Sequence, residues 1–396
     1  MLRIGEFTDT YIPVVDGVGR VVLAYAETLC RKGHQVTVVC PMYNTGYRGG
    51  YPFELVDFKG LGVPSAKQYK FGSTFFDRHC RDRLNEIPLD IVHAHSPFCA
   101  GSEALRIAKQ RKIPLVGTFH SKYYDDFLKI TKSDSLAKLG VKMVVNFYNH
   151  CDDVWAVGDR TAEVLHEYGY KGDIKVIPNG VTPRKLKLES LQEAQSRFHI
   201  AKDRPVLLFV GQINWKKNIL RILEACSILK AQGISYQMLL AGQGPDQKAI
   251  EKKIEELSLT DNVSLIGHIT DTDLLDGLYA SADLFIFPSL YDNAPMVVRE
   301  AAVMRTPAVM VAKSSGSEII RDNVNGFLCS DDSQSLADVI LKAVTDKELL
   351  SSVGENASKT IPIPWDTIVD DVTARYTELI DRVRRNGRIR RSALER

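Results

Sequence analysis

Short runs of apolar, often β-branched residues alternate along this chain with longer stretches whose apolar positions recur at helical spacing. The first runs are Arg3–Phe7, Gln35–Val39, Ile91–His95, Leu115–Phe119, Val154–Val157 and Ile174–Ile177, with helical patterns such as Val18–Lys32 and Ser102–Arg111 between them. Runs that are apolar throughout, rather than at alternate positions, predict strands covered on both faces, hence a parallel sheet between layers of helix. The pattern then restarts with Val206–Val210, Tyr236–Ala241, Val263–Ile266, Leu284–Phe287 and Ala308–Ala312, separated by helical stretches such as Asn218–Gln232 and Lys248–Leu257. Two successive series of this kind predict an α/β chain of two doubly wound, Rossmann-like domains, residues 1–185 and 186–364. The charged stretch Pro183–Arg204 reads as a linker and a leading helix. Beyond Pro362–Pro364, Trp365–Val383 repeats apolar residues at Ile368, Val369, Val372, Tyr376, Leu379 and Ile380. That stripe predicts a terminal helix, and residues 365–396, ending in a frayed basic tail, are expected to pack back on the first domain.

Ligands of open parallel sheets bind outside the carboxyl ends of the strands. Two such sheets with those ends turned towards each other would enclose a cleft suited to a reaction between two molecules.

A length of 396 residues fits two domains, and 44% hydrophobic with 25% charged residues is a globular balance that excludes a disordered chain. The formal net charge of +2 gives no argument for a nucleic-acid partner. Basic side chains are in excess up to residue 188 and acidic ones beyond it. That asymmetry fits two surfaces with different partners, or unevenly spread solvated charge. The seven cysteines form no CxxC pair, which argues against a disulfide framework or zinc site and for a reducing, cytoplasmic setting. The opening MLRIGEFTDT turns polar at once, unlike a signal peptide. No run approaches the ~18–20 apolar residues that span a bilayer, so any membrane contact is expected to be peripheral.

Candidate chemistry lies where the predicted strands end. Asp16-Gly17-Val18-Gly19 opens the first helix, where backbone N–H groups attract phosphate and glycine permits close approach; a tight turn without ligand is the plainer reading. Gln212 and the pair Lys216–Lys217 follow the first strand of the second series, placed to neutralise a diphosphate or simply solvated. Gly242, in GQGP, and His268, in GHI, follow the next two strands and suit a flat ligand such as a base, or plain loop chemistry. In PSLYDNAPMVVREAA, Asp292, Asn293 and Ala294 form a loop, Pro295 suits the first turn of a helix, and Met296 continues it. Glu300 falls two turns on, a carboxylate inside an apolar helix face that needs a partner: a sugar or ribose hydroxyl, a backbone group or an arginine. His120 ends a strand beside another that ends in His93 and His95, as functional or structural histidines. Asp271-Thr272-Asp273 has the DxD pattern of metal-dependent sugar transferases but reads as a helix cap. There is no GxSxG and no GxxxxGK[ST].

Taken together, FTDTYIPVVDGVGRVV, DIVHAHSP, GTFHSKYYDDF, IPNGV, VGQINWKKN, AGQGP, FPSLYDNAPMVVREAA and SGSEIIRDNVNGFL resemble, in order and spacing, the retaining glycosyltransferases of family 4, with the GT-B fold. The GTFHSKYYDDF segment looks most like the subgroup that glucosylates diacylglycerol. The resemblance implies a nucleotide-diphosphate sugar such as UDP-glucose as donor, a membrane lipid acceptor, no cofactor and no metal. Gly17 and Gly19 would approach the donor phosphates, His120 would stand by the reacting sugar, and Lys217 would hold the diphosphate. Asp292 and Glu300 stand at the two ends of the family's Glu-x7-Glu motif, for sugar and ribose hydroxyls, and Asn293 to Met296 would offer backbone N–H groups. Two positions depart from the family: Gln212 stands where Arg is usual, with Lys216 near enough to compensate, and Asp292 where Glu is usual. Transfer to a cell-surface polysaccharide or lipid-linked glycan remains open, as do an epimerase, a phosphorylase and a non-catalytic nucleotide-sugar binder. The basic stretch Lys129–Lys142 suits an anionic bilayer surface or is an ordinary solvated face.

Overall fold

The computed structural model describes residues 1–11, 17–42, 49–63, 66–72 and 77–394. Two compact units divide them: residues 1–179 with 365–396, and residues 180–364.

The first unit is built on a seven-stranded parallel sheet. Its strands are β1 (Arg3–Phe7), β2 (Gln35–Pro41), β3 (Glu54–Phe58), β6 (Ile91–Ala94), β7 (Leu115–Phe119), β8 (Asp153–Ala156) and β9 (Lys175–Val176), in the order β3-β2-β1-β6-β7-β8-β9. A separate antiparallel hairpin joins β4 (Gly60–Val63) to β5 (Ala66–Gly72). Helices α1 (Gly17–Arg31), α2 (Arg78–Glu86), α3 (Cys99–Arg111), α4 (Tyr123–Thr131), α5 (Asp134–Tyr148) and α6 (Asp159–Glu167) make the crossovers. The buried patterns of β1, β6 and β7 follow from helices on both faces. Edge strand β3 alternates half-buried and buried positions, so it carries no continuous apolar run to read. The strand order turns at the β1/β6 junction, where Glu6 pairs in register with His93. In such a sheet that junction is the ligand-binding crevice.

The second unit repeats the plan with six parallel strands: β10 (Val206–Val210), β11 (Gln237–Ala241), β12 (Val263–Gly267), β13 (Leu284–Ile286), β14 (Ala308–Val311) and β15 (Phe327–Cys329). Their order is β12-β11-β10-β13-β14-β15, so the turning point lies between β10 and β13. Helices α7 (Leu188–Arg197), α8 (Ile219–Ala231), α9 (Gln247–Glu256), α10 (Thr272–Ser281), α11 (Met296–Val303), α12 (Ser333–Thr345) and α13 (Lys347–Thr360) cover it. One apolar core, including Leu208, Phe209, Leu239, Phe285 and Ile286, runs through the unit.

The last helix, α14 (Trp365–Leu394), returns to the first unit. It buries Trp365, Ile368, Val369, Val372, Tyr376, Leu379 and Ile380. Arg375 grips Asp153 with two hydrogen bonds of 2.8 and 2.7 Å, while Asp366 and Asp370 meet Arg31, the last residue of α1, and Lys32 just after it. The helix continues to Leu394, past the expected end at Val383. Arginine, alanine and leucine are good helix formers, and that outweighs Asn386 and Gly387.

Candidate functional site

In the second unit the loops after β10, β11 and β12 are stitched together by main-chain bonds. Gly211 N–H donates to Ala241 O, Ile213 N–H to Gln243 O, and Gly242 N–H to Gly267 O, at 2.8–3.1 Å. Gly242 has φ +141°, and a Cβ there would stand 1.8 Å from the Gly211 carbonyl. Its lack of a side chain is what lets the two loops close-pack. His268 follows on the outside and is exposed, as is Gln212, whose Oε1 accepts from Asn214.

Trp215–Lys217 forms one 3-10 turn capped by Asn214, whose side chain accepts from Lys217 N–H. Asn218 then adopts left-handed backbone and its amide donates to Pro288 O and Asp331. The end of β10 is thereby tied to the end of β13. Sequence reasoning missed Asn218; its one signal was an amide directly after the lysine pair.

Across that junction Lys217 Nζ donates to Asp292 Oδ1 at 2.7 Å, although the two are 75 residues apart. Both are about four-fifths buried, and Asp292 Oδ2 is buried with no hydrogen-bond partner among the described residues. Lys216 instead lies over the Tyr291 ring, 4.4 Å from its centroid. Asn293 is buried and Ala294 half-buried; Pro295 precedes the first helical residue, Met296, rather than occupying the first turn itself. Glu300 is buried on α11, where the Tyr279 hydroxyl donates to it at 3.3 Å. Its negative charge also acts on Arg184, whose guanidinium is held charged chiefly by its fork to Asp276. The DxD carboxylates are used: Asp271 caps α10, accepting from Asp273 and Leu274 N–H, and Asp273 pairs with Lys187.

In the first unit Gly17 begins α1, with open space where a Cβ would stand, and Gly19 is buried one turn in. Asp16 lies outside the described residues. His120, directly after β7, is buried and meets His95 at 3.0 Å. His95 continues to Glu6 at 2.8 Å, and His93 to the Tyr376 hydroxyl and Thr118, each at 2.6 Å. Glu6 and Tyr376 were not singled out from the sequence, though a carboxylate inside the apolar run RIGEF was the available signal. Asp9 accepts from the Ala100 N–H at the start of α3.

Burial sets the protonation of this cluster. It pushes the Glu6 carboxyl up to about 8, against the pull of the Tyr376 hydrogen bond, and holds His95 down to about 3. His93 and His120 are lowered by the same cause, then by neighbouring imidazoles. Below about pH 6.5 an unfolded chain takes up protons that these buried rings refuse, so stability falls as pH drops. Glu6 acts in the opposite sense. Unfolded, it loses its proton near 4.5; folded, it keeps it to about 8, so stability falls as pH rises through that interval. Asp9, raised to about 6 by burial, adds to that trend only at its lower end. Melting curves should show a stability maximum near neutrality. Glu6→Gln should erase the decline between pH 6.5 and 8, of about 2 kcal/mol, and leave the acid decline; an unaltered alkaline slope would assign it to another group.

Comparison with known proteins matches both halves. Residues 15–185 fit the model described as Glycosyltransferase Family 4, and residues 192–360 that described as Glycosyl transferases group 1. An alpha-monoglucosyldiacylglycerol synthase of Streptococcus pneumoniae is 28% identical over 87% of this chain and 78% of its own length. One from Acholeplasma laidlawii is 23% identical over 96% and 98%. Among solved structures, Anabaena HepE in complex with UDP-glucose matches with a TM-score of 0.76 at 17% identity, covering 96% of this chain and all of that one. WaaG, a glycosyltransferase of lipopolysaccharide biosynthesis, matches at 0.71 and 18%, covering 94% and 99%. These neighbours share the two doubly wound sheets of the GT-B fold. With both halves matched in chain order and the fold in agreement, the chain belongs to glycosyltransferase family 4.

Proposed function

We propose that this glycosyltransferase moves a hexose, with retention of configuration, from a nucleotide diphosphate such as UDP-glucose to diacylglycerol at an anionic bilayer surface. The observation that carries the donor half is the Lys217–Asp292 pair at the turning point of the second sheet. A diphosphate leaves with growing negative charge, and a cation already seated at strand ends needs little reorganisation to meet it. The sugar's bond to the leaving phosphate oxygen breaks as its bond to the acceptor oxygen forms. The acceptor's proton passes to the departing phosphate. Asp292 and Glu300 would accept sugar and ribose hydroxyls, and His120 would stand beside the reacting carbon. Because Asp271 and Asp273 serve α10 and Lys187, Lys217 rather than a DxD-bound metal supplies the charge in this reading. Turnover should therefore survive EDTA.

The lipid half is supported by the relatives' names and by one surface. Helices α4 and α5 and the turn between them expose Leu128, Ile130, Leu136, Leu139 and Met143, interspersed with Lys129, Lys132 and Lys142 and with Lys138, which pairs with Asp134 at 2.9 Å. Apolar side chains ringed by lysines suit the headgroup boundary of an anionic leaflet, where each cation contributes ~1 kcal/mol. Among the described residues no helix is long and apolar enough to cross a membrane.

Purified protein given UDP-glucose should release UDP only when diacylglycerol vesicles are present. Epimerised sugar without acceptor, or UDP release driven equally by a soluble glycan, would reject the proposal. Flotation with phosphatidylglycerol vesicles should weaken on adding salt and fall about tenfold for Leu139→Asp with Met143→Asp. Equal binding to neutral vesicles would remove the basic-surface argument.

A further inference from the structure

Behind His120 runs a buried row of polar side chains: His120 Nε2 to His95 Nδ1, then His95 Nε2 to Glu6 Oε2. Glu6 is fully buried, in a strand whose other core positions are Ile4 and Phe7. A carboxyl in that position gives up its hydration, and an apolar side chain would pack there without the penalty. The groups facing Glu6 are imidazoles and phenols. His93 comes from β6 and His95 directly follows it, Tyr376 from α14 donates to Oε1 at 3.3 Å, and Tyr25 from α1 abuts both histidine rings. Glu6, His93 and His95 also bring three possible metal-ligand atoms within 4.8 Å of one another. Every nitrogen of those two imidazoles, however, already has a protein partner: Tyr376 and Thr118 for His93, His120 and Glu6 for His95. Hydrogen bonding alone completes the arrangement.

We propose that Glu6 and His95 are positioning residues for His120: the carboxyl group, acting through the His95 ring, sets which imidazole nitrogen of His120 carries the proton. This rests on the reading of His120 as the side chain beside the reacting sugar.

With Glu6 ionised, Oε2 accepts from His95 Nε2–H. His95 Nδ1 is then bare and accepts from His120 Nε2–H, leaving His120 Nδ1 an acceptor. When one proton arrives at His120 Nδ1, the Nε2 proton passes to His95 Nδ1 and the His95 Nε2 proton passes to Glu6. Each ring gains one proton and loses one, and the carboxylate becomes a carboxylic acid. His120 Nδ1 has turned from acceptor to donor, and neither ring has become an imidazolium. That matters in a site where burial disfavours imidazolium. His120 thus changes hydrogen-bonding sense toward a substrate hydroxyl without placing a cation next to a carbon that itself becomes positive.

The test is nitrogen NMR of the full-length chain with labelled histidines, His120 being assigned by its loss in His120→Gln. His120 should carry its proton on Nε2 at pH 9 and on Nδ1 at pH 6.5, the change centred near 8, where burial places Glu6. Glu6→Gln, whose amide takes up no proton in this range, should hold one form throughout. A His120 tautomer that ignores pH in the native chain, or that changes identically in Glu6→Gln, overturns the relay. If Glu6→Gln fails to fold, His95→Gln breaks the same row and must likewise abolish the change. Turnover is read separately with UDP-glucose and diacylglycerol vesicles. Glu6→Gln should lower kcat about tenfold at near-constant donor KM and remove the step in its pH profile. Full activity in His120→Ala would reject the placement of His120 at the sugar, while the NMR outcome would still judge the relay.

Discussion

A chain ending at Pro364 should be unable to fold its first unit, while residues 180–364 keep a cooperative transition of their own. Helix α14 belongs to the first unit and contributes Trp365, Ile368, Val369, Val372, Tyr376, Leu379 and Ile380 to its interior. Burial of these side chains is worth roughly 10 kcal/mol or more, as much as a whole domain's net stability. The loss is also polar. Without Tyr376, the Nδ1 of buried His93 and Oε1 of Glu6 each lose a partner, and Asp153 loses the Arg375 fork. Buried polar groups left unpaired add about 1–3 kcal/mol each. The second unit has its own apolar core and none of these contacts. Circular dichroism melts and limited proteolysis of the two shortened chains would check this. A 1–364 chain that melts like the full-length protein would contradict it.

Lys217→Ala should reduce turnover by about 100- to 1000-fold and lower the melting free energy by about 1–3 kcal/mol, since it leaves the mostly buried Asp292 carboxylate without its cation. The Lys217 ammonium is held by Asp292 at 2.7 Å. On the proposed reading a diphosphate competes with that carboxylate for the same cation. Asp292→Asn releases Lys217 from its ion pair, so it should bind UDP more tightly than the unaltered protein and still transfer sugar more slowly. Lys217→Ala should bind UDP more weakly. Calorimetric titration with UDP, beside turnover, separates the two; equal weakening in both variants would show that the pair does not compete with phosphate. Lys217→Arg should recover part of the lost rate, because charge rather than shape is the larger requirement.

Much of the fold was legible because both sheets are parallel and covered. Such strands must be apolar along their length, and β1, β6, β7, β10, β11 and β13 announce themselves. The edge strands β3 and β15 were not. Glu54–Phe58 alternates, and Phe327–Cys329 is only three residues long, too short for any period. Lys217 and Asp292 could be named from their loops after predicted strands and from the family resemblance, and Glu300 because it breaks an apolar helix face. Their partners could not. That Lys217 spends its charge on Asp292 while Lys216 lies on Tyr291 depends on rotamers and loop closure, which neither lysine's neighbours in sequence encode.

The order of apolar runs by itself determined two doubly wound sheets, and the charged residues at their ends marked the candidate positions for chemistry. Those features are local: a period and a break in a period. Only the tertiary structure decided that Glu6 of the first strand, His95 just beyond the sixth, His120 beyond the seventh and Tyr376 of the last helix form one buried network. Its members are up to 370 residues apart in the chain. What joins them is the strand order β1-β6-β7 and the return of α14 to the first unit. Parallel pairing sets distant residues side by side, and burial then forces the polar ones among them to satisfy one another.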